Sequence, residues 1–480
     1  MNYKMILFLA GRIVLFEALM LCLPAIVSLI YGEGCFYAFL VAIALSLALG
    51  GALWKFSKPK DSVIYAKEGF ITVALVWVLL SAIGALPFTL CGEIPSYIDA
   101  FFETVSGFTT TGASILPDVE AMSHGLLFWR SFTHWVGGMG VLVFAMAVIP
   151  DMSDRSIHIM RAEMPGPIIG KLVPRVKDTA KILYLIYIVL TLVQVVFLLF
   201  GGMNLFDSFV HAFGTAGTGG FGTKADSITS YSPYLQWVIA IFMVIFGVNF
   251  NLYYLMLIKR FKSVFTSNEL WVYVCIIAVS TALVCVNIMP ISGSFGDSLR
   301  AAFFQVSSII TTTGFATADF NLWPGFSKGI IILLMFIGGC AGSTAGGLKV
   351  SRVIILFKTV RMEIKRMLHP RSVSVVRFEG KPLEEGTYRS VSFYFVLYML
   401  CLFTVILLLC LEPFDFETNF TAAVSCFNNV GPGLASVGPM SNYAAYSPAS
   451  KLLLSFAMLF GRLEIFPLII ALSPGTWSKK

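Results

Sequence analysis

Apolar stretches long enough to cross a bilayer recur along the chain, separated by short polar segments. A crossing helix needs about 20 mostly apolar residues. The pattern predicts ten such spans, at 5–30, 36–55, 68–91, 125–149, 180–201, 233–258, 270–290, 327–357, 390–411 and 450–472. Arg12 and Glu17 interrupt the first run and no clear small-residue cleavage site accompanies it, so it reads as a retained helix rather than a signal peptide.

A second pattern lies between the spans. After spans three, five, seven and nine come four segments of one design: an acidic residue, a short partly apolar stretch, then a polar turn containing glycine. They read Asp99-AFFETVSGFTTTGAS, Asp207-SFVHAFGTAGTGGFGT, Asp297-SLRAAFFQVSSIITTTGFAT and Glu417-TNFTAAVSCFNNVGPGLAS. Aligning them superimposes Gly112, Gly220, Gly314 and Gly431, at intervals of 108, 94 and 117 residues. The helix-compatible stretches run to only about a dozen residues, too short to span and suited to re-entry. Non-helical backbone at membrane depth survives only where protein buries it or a water-filled cavity borders it. Four such loops, each flanked by two spans, predict a pseudo-fourfold pore. The expected organisation is two N-terminal helices in 1–60 followed by units at 61–165, 166–262, 263–380 and 381–480. The fold class is an all-α polytopic membrane protein.

Composition agrees and removes other classes. Of the 480 residues, 58% are hydrophobic and 12% charged, and the mean hydropathy is +0.85. Soluble chains carry about 25% charged residues. A soluble enzyme, a disordered chain and a secreted disulfide scaffold are all excluded. The nine cysteines form no CxxC and no zinc-like spacing, so they are expected to serve as small core residues. The five histidines form no HExxH, and no catalytic metal is expected.

The net charge is +7, and its distribution orients the spans. Lys55, Lys58, Lys60 and Lys67, then Arg155, Arg161, Lys171, Arg175 and Lys177, then Lys259, Arg260 and Lys262, then Arg361, Lys365, Arg366, Arg371, Arg377 and Lys381, with Lys479 and Lys480, all fall on one face of a ten-span chain. Positive charge marks the cytoplasmic side, which then also holds both termini. The opposite loops carry Glu93, Asp99, Asp118, Glu120, Asp226, Asp319, Glu412, Asp415 and Glu417, a field that gathers cations.

The loop composition suits cation chemistry. A dehydrated cation needs several oxygens in place of its water, and rings of backbone carbonyls supply them. Glycine permits close approach of the backbone, and threonine adds a hydroxyl on a stiff side chain. Before the four glycines stand Thr110 and Thr111, Thr218 and Gly219, Thr312 and Thr313, and Asn429 and Val430. At TTTGAS (109–114), GTGGFGT (217–223), TTTGFAT (311–317) and NNVGPG (428–433) the chain resembles the TrkH/KtrB/HKT superfamily of potassium transporters, most nearly its bacterial TrkH branch. The resemblance spans nearly the whole chain. It implies potassium uptake across the bacterial inner membrane through a selectivity filter made of Thr110, Thr111, Gly112, Thr218, Gly219, Gly220, Thr312, Thr313, Gly314, Asn429, Val430 and Gly431. It also implies K+ as the transported ion, no covalent cofactor, a homodimer, and a cytosolic RCK-type (TrkA-like) ring that carries the nucleotide. Loops 151–178 and 359–389 are the candidate landing surface for that ring, though plain positive-inside charge accounts for them equally well. No nucleic-acid partner is expected.

Span eight is interrupted by Gly338-GCAGSTAGG-Leu348. Gly338, Gly342 and Gly346 match a close-packing ladder, but Ser343, Thr344 and the paired Gly338–Gly339 and Gly346–Gly347 exceed what packing needs. The resemblance implies an intramembrane loop that obstructs the pore below the filter. Arg462, inside the last span, is a functional residue by default. The resemblance sets it beside that loop, whereas snorkelling to the interface is the plain alternative. Arg130, Arg300 and Glu17 are expected to act as structural partners inside the bundle. Gly217-x-Gly219-x-x-Gly222 matches a dinucleotide fingerprint but lacks the preceding strand it requires. The rival to a gated K+ pore is an alternating-access transporter for another solute, a class that favours inverted halves; here four loops enter from one side.

Overall fold

The computed structural model describes residues 2–59, 66–140, 176–371 and 374–477. Two helices open the chain, α1 (Tyr3–Ile30) and α2 (Phe36–Phe56), packed against each other. The first unit contains α3 (Ala66–Gly84), α4 (Leu86–Cys91), α5 (Tyr97–Phe108) and α6 (His124–Gly138). The second contains α7 (Val176–Phe200), α8 (Leu205–Ala216), α9 (Pro233–Phe246), α10 (Phe250–Leu257) and α11 (Phe261–Phe265). The third contains α12 (Asn268–Ser292), α13 (Phe295–Ile310), α14 (Gly325–Ile337) and α15 (Val350–Leu368). The fourth contains α16 (Glu385–Leu409), α17 (Phe416–Asn428), α18 (Pro448–Arg462), α19 (Phe466–Leu472) and α20 (Pro474–Trp477). A two-stranded antiparallel hairpin, β1 (Arg377–Phe378) and β2 (Lys381–Pro382), is the only sheet among the described residues, an addition to the all-α expectation.

Among the described residues, six helices or helix pairs are long and apolar enough to cross a membrane: α1, α2, α3 with α4, α7, α12 and α16. Their apolar character runs all round. Leu45 and Leu47 of α2, Val286 of α12 and Leu407 of α16 stay exposed, as side chains facing hydrocarbon do.

The second helix of each unit departs from the expected spans. Helices α6, α9, α14 and α18 have 15, 14, 13 and 15 residues. At 1.5 Å per residue that is about 20–23 Å, short of the roughly 30 Å hydrocarbon core. Only span eight was expected to break, yet the breaks recur in every unit that can be followed. The α9–α10 pair bends by 89°. Glu464 and Ile465, both with positive φ, separate α18 from α19. The chain after α6 and the basic residues from Lys60 and Arg155 to Arg175, with Lys479 and Lys480, lie outside the described residues.

Two expectations are corrected. Cys35 and Cys91 are not lone core residues: they form a disulfide, with a Cα–Cα distance of 5.2 Å. It joins the α1–α2 turn to the end of α4, across 56 residues of chain. A cross-link over a loop of that size typically stabilises by about 2–4 kcal/mol. Both cysteines should therefore take up a maleimide only after reduction, and Cys35→Ser should lower the thermal midpoint in detergent; quantitative labelling without reductant would count against the bond. Glu17 is not an ion-pair partner: it is fully buried, and neither carboxyl oxygen finds a hydrogen-bond partner among the described residues. Arg130 and Arg300 do pair, with Glu103 at 2.5 Å and Asp297 at 2.6 Å.

Candidate functional site

The four re-entrant helices α5, α8, α13 and α17 begin alike. Ser96, Asn204, Ser294 and Asp415 are the N-caps, accepting from the backbone N–H of Asp99, Asp207, Asp297 and Thr418. Asp99, Asp207, Asp297 and Glu417 sit in the first turns, where negative charge complements the helix dipole. Hydrogen bonds from the Thr418 hydroxyl and N–H hold the Asp415 carboxyl below the usual aspartate range. The acidic residues that opened each motif in the sequence are thus helix-start signals as well as surface charge.

The helices end alike too. Thr111, Gly219, Thr313 and Val430 each donate their backbone N–H five residues back, to Ser106, Gly214, Ser308 and Ser425. Thr110, Thr218, Thr312 and Asn429 all adopt left-handed backbone, with φ between 54° and 57°. The glycines follow at φ 80°, 76°, 88° and 102°. An alternation of left- and right-handed residues turns successive carbonyls toward one side, and three non-glycine residue pairs held in it mark a backbone fixed by its surroundings.

These loops close on one another. A Cβ built on Gly112 would lie 2.0 Å from the carbonyl oxygen of Gly219. One on Gly220 would lie 2.1 Å from that of Thr313, one on Gly314 2.4 Å from that of Val430, and one on Gly431 2.6 Å from that of Thr111. The order runs one to two, two to three, three to four and four back to one. The sequence-predicted Thr110 to Gly112, Thr218 to Gly220, Thr312 to Gly314 and Asn429 to Gly431 therefore meet as a single ring. The threonines, Asn429 and Val430 are fully buried. Thr109 and Thr311 hydroxyls bond Thr111 and Thr313 at 2.8 Å, and Tyr443 Oη donates to the Gly431 carbonyl at 2.8 Å. The ring faces a cavity of about 140 Å³ bordered by all four glycines. Oγ1 of Thr110 and Oδ1 of Asn429 have no hydrogen-bond partner among the described residues, so both oxygens are free to accept.

Sequence reasoning named Arg130 but left its partner, Glu103, unassigned. Glu103 accepts from Ser114 Oγ and Ile115 N–H at 3.0 Å, while its partner Arg130 reaches the Gly222 carbonyl and lies over the Phe221 ring. One buried ion pair thereby holds the loops after Gly112 and Gly220. Removing a single partner from such a pair costs about 3–5 kcal/mol. Glu103→Ala should accordingly lower the thermal midpoint far more than Asp297→Ala, which breaks an exposed pair; equal shifts in a melting assay would remove Glu103 from this role.

On the other side of the ring lies the interruption of span eight. Residues 338–348 form no helix, and Gly338, Gly342 and Gly347 have positive φ. The segment is largely buried. Gly346 N–H donates to Thr312 Oγ1 at 2.6 Å and Gly347 N–H to the Asn428 carbonyl at 3.1 Å, so its tip rests directly against the ring. Gly339 and Cys340 pack by Gly247, and Ser343 bonds back to the Cys340 carbonyl. Arg462 donates to the Thr344 carbonyl at 2.9 Å and to the Gly137 and Gly138 carbonyls at 2.5 and 2.6 Å. It does not snorkel away. Glu464 pairs with Arg352. Lys349, absent from the sequence-based set, is buried with its ammonium on the Ala345 carbonyl. A cavity of about 30 Å³ under the ring is bordered by Lys349, Arg462, Gly346 and Gly461.

Four re-entrant loops closed into one carbonyl-bordered ring, with an irregular segment lodged under it, define a helical membrane transport protein. Residues 37–479 match the TrkH family, described as cation transport proteins, and the chain belongs to that family. It is 37% identical to the Trk system potassium uptake protein TrkH of Salmonella typhimurium over 99% of this chain and all of that one. It is 34% identical to the Trk system potassium uptake protein TrkG of Escherichia coli K12, at 99% coverage of both. The crystal structure of the potassium transporter TrkH from Vibrio parahaemolyticus superposes with a TM-score of 0.90, at 31% identity and full coverage of both chains.

Proposed function

We propose that this chain carries K+ into the cell across the bacterial inner membrane, using the ring at Gly112, Gly220, Gly314 and Gly431 as its selectivity filter. The closed four-quarter order of those glycines and carbonyls is the observation that carries the reading. Carbonyl dipoles replace the water of a dehydrated cation and need no formal charge. The names of the relatives support K+ as the ion. Loop 338–348 with Arg462 is the gate. Both termini and the basic loops face the cytoplasm, where α15 presents Arg361 and Lys365 to a regulatory nucleotide-binding ring. The chain works as a homodimer.

Expression in a bacterium lacking K+ uptake should restore growth at low K+. In proteoliposomes, ⁸⁶Rb+ uptake should be competed by K+ and not by Na+ or Li+. No growth at low K+, together with uptake insensitive to K+, would reject the proposal.

A further inference from the structure

Two carboxylates connect the small hairpin to the loop under the ring, and neither has a role in what precedes. Glu379 and Gly380 form the two-residue turn between β1 and β2, both with positive φ (49° and 75°). The hairpin sits on buried Val376, Phe378 and Leu383, while Arg377 and Lys381 are exposed. From the turn, the Glu379 carboxylate accepts from Ser267 Oγ at 3.1 Å, Asn268 N–H at 3.2 Å and Glu269 N–H at 3.0 Å. It thus takes up free N–H groups at the start of α12 from outside the helix. Glu269, 5% exposed, then reaches the other way. Its Oε1 accepts from Ala341 N–H at 2.7 Å, inside the 338–348 loop, and from Ser351 N–H at 3.1 Å, in the first turn of α15. Ala341 is held on this side and Thr344 on the Arg462 side, so the loop is pinned at two points by side chains of opposite charge.

We infer that Glu379 and Glu269 are positioning residues in series: the hairpin sets the first turn of α12, and that turn sets the loop beneath the filter. The physical ground is economy of contact. Only Ser267 to Glu269 lie between an exposed hairpin and a buried loop, and both connections are hydrogen bonds to carboxylates, the stronger kind. Withdrawing the Glu379 carboxylate loosens the Glu269 backbone and frees Ala341. The inference rests on reading 338–348 as the gate.

The test is basal ⁸⁶Rb+ uptake by the full chain in proteoliposomes at matched protein density. Glu379→Asp is the fold-safe variant, because Asp-Gly is a favoured pair for such a turn while the arm loses a methylene and its reach. Glu379→Asp and Glu269→Ala should each raise uptake, by about two- to tenfold for one or two hydrogen bonds lost. Combined, they should not exceed the larger single effect, since serial links remove one restraint. Glu379→Gln keeps an acceptor oxygen at full reach and should return uptake to near the wild-type rate. K+ over Na+ selectivity should not move, as a general loosening of the fold would make it do. Unchanged uptake in Glu379→Asp, or single effects that multiply, overturns the relay. A deletion within 340–346 serves as the control. If it raises uptake while Glu379→Asp does not, the relay fails and the gate stands; if it too is without effect, the gate reading fails and the relay with it.

Discussion

Gly314→Ser and Gly112→Ser should each lower K+ over Na+ selectivity by about tenfold or more, the equivalent of about 1.4 kcal/mol. Two costs combine. At φ 88° and 80° an L side chain meets its own backbone, a penalty of roughly 1–2 kcal/mol. The added Cβ also has nowhere to go. On Gly314 it would stand 2.4 Å from the Val430 carbonyl oxygen and 3.0 Å from the Pro432 ring; on Gly112, 2.0 Å from the Gly219 carbonyl oxygen. These neighbours are backbone and ring atoms without a flexible end to swing aside. The next quarter must move, and with it the carbonyl that the proposed filter would turn toward the ion. Because discrimination between K+ and Na+ depends on the size and field of that oxygen cage, a displaced quarter degrades selectivity before it blocks flux. Reversal potentials under opposed K+ and Na+ gradients would measure it. Wild-type selectivity in both variants would take the filter away from these glycines.

Arg462→Ala should raise ⁸⁶Rb+ flux by about tenfold or more while leaving selectivity intact. The guanidinium makes three charge-assisted bonds, one to the loop and two to the end of α6. Bonds to charged groups contribute roughly 1.5–3 kcal/mol each, so losing the one to Thr344 alone shifts a closed–open equilibrium by an order of magnitude or more. A cation leaving the filter would also no longer meet a fixed positive charge where water is sparse. A deletion within 340–346 should act in the same direction, and the two changes together should be less than additive. If both variants insert, keep wild-type melting behaviour and conduct no faster, the obstruction lies elsewhere.

Much of this arrangement was legible in the linear chain, because repetition is local. Four acidic-to-glycine motifs can be aligned by eye, and each predicts a short re-entrant helix and a turn. What escaped has physical reasons. The bend after Phe246 is hidden in an apolar run that continues through Phe250 to Leu257; only Gly247 and Asn249 mark it. The break after Arg462 was signalled by Glu464, a charge that a continuous helix would have carried into hydrocarbon. The Cys35–Cys91 bond, the Glu103 brace and the Glu269 and Lys349 contacts depend on pairs far apart in sequence, for which no spacing rule exists. Glu17 is the opposite case: the sequence suggested a partner, and the fold supplies none among the described residues.

The closed order of the ring has a consequence for biosynthesis. Its last seam joins the fourth quarter to the first: Asn429 Nδ2 donates to Thr111 Oγ1, 318 residues away, and Gly431 packs on the Thr111 carbonyl. At about 5–20 residues per second of translation, the first quarter waits roughly a quarter of a minute to a minute for its partner. Through that interval the inserted chain holds an open arc rather than a ring, with buried hydroxyls and carbonyls on an unsealed edge. A chain truncated before the final unit would lack Asn429 and Gly431 and so could not close the ring.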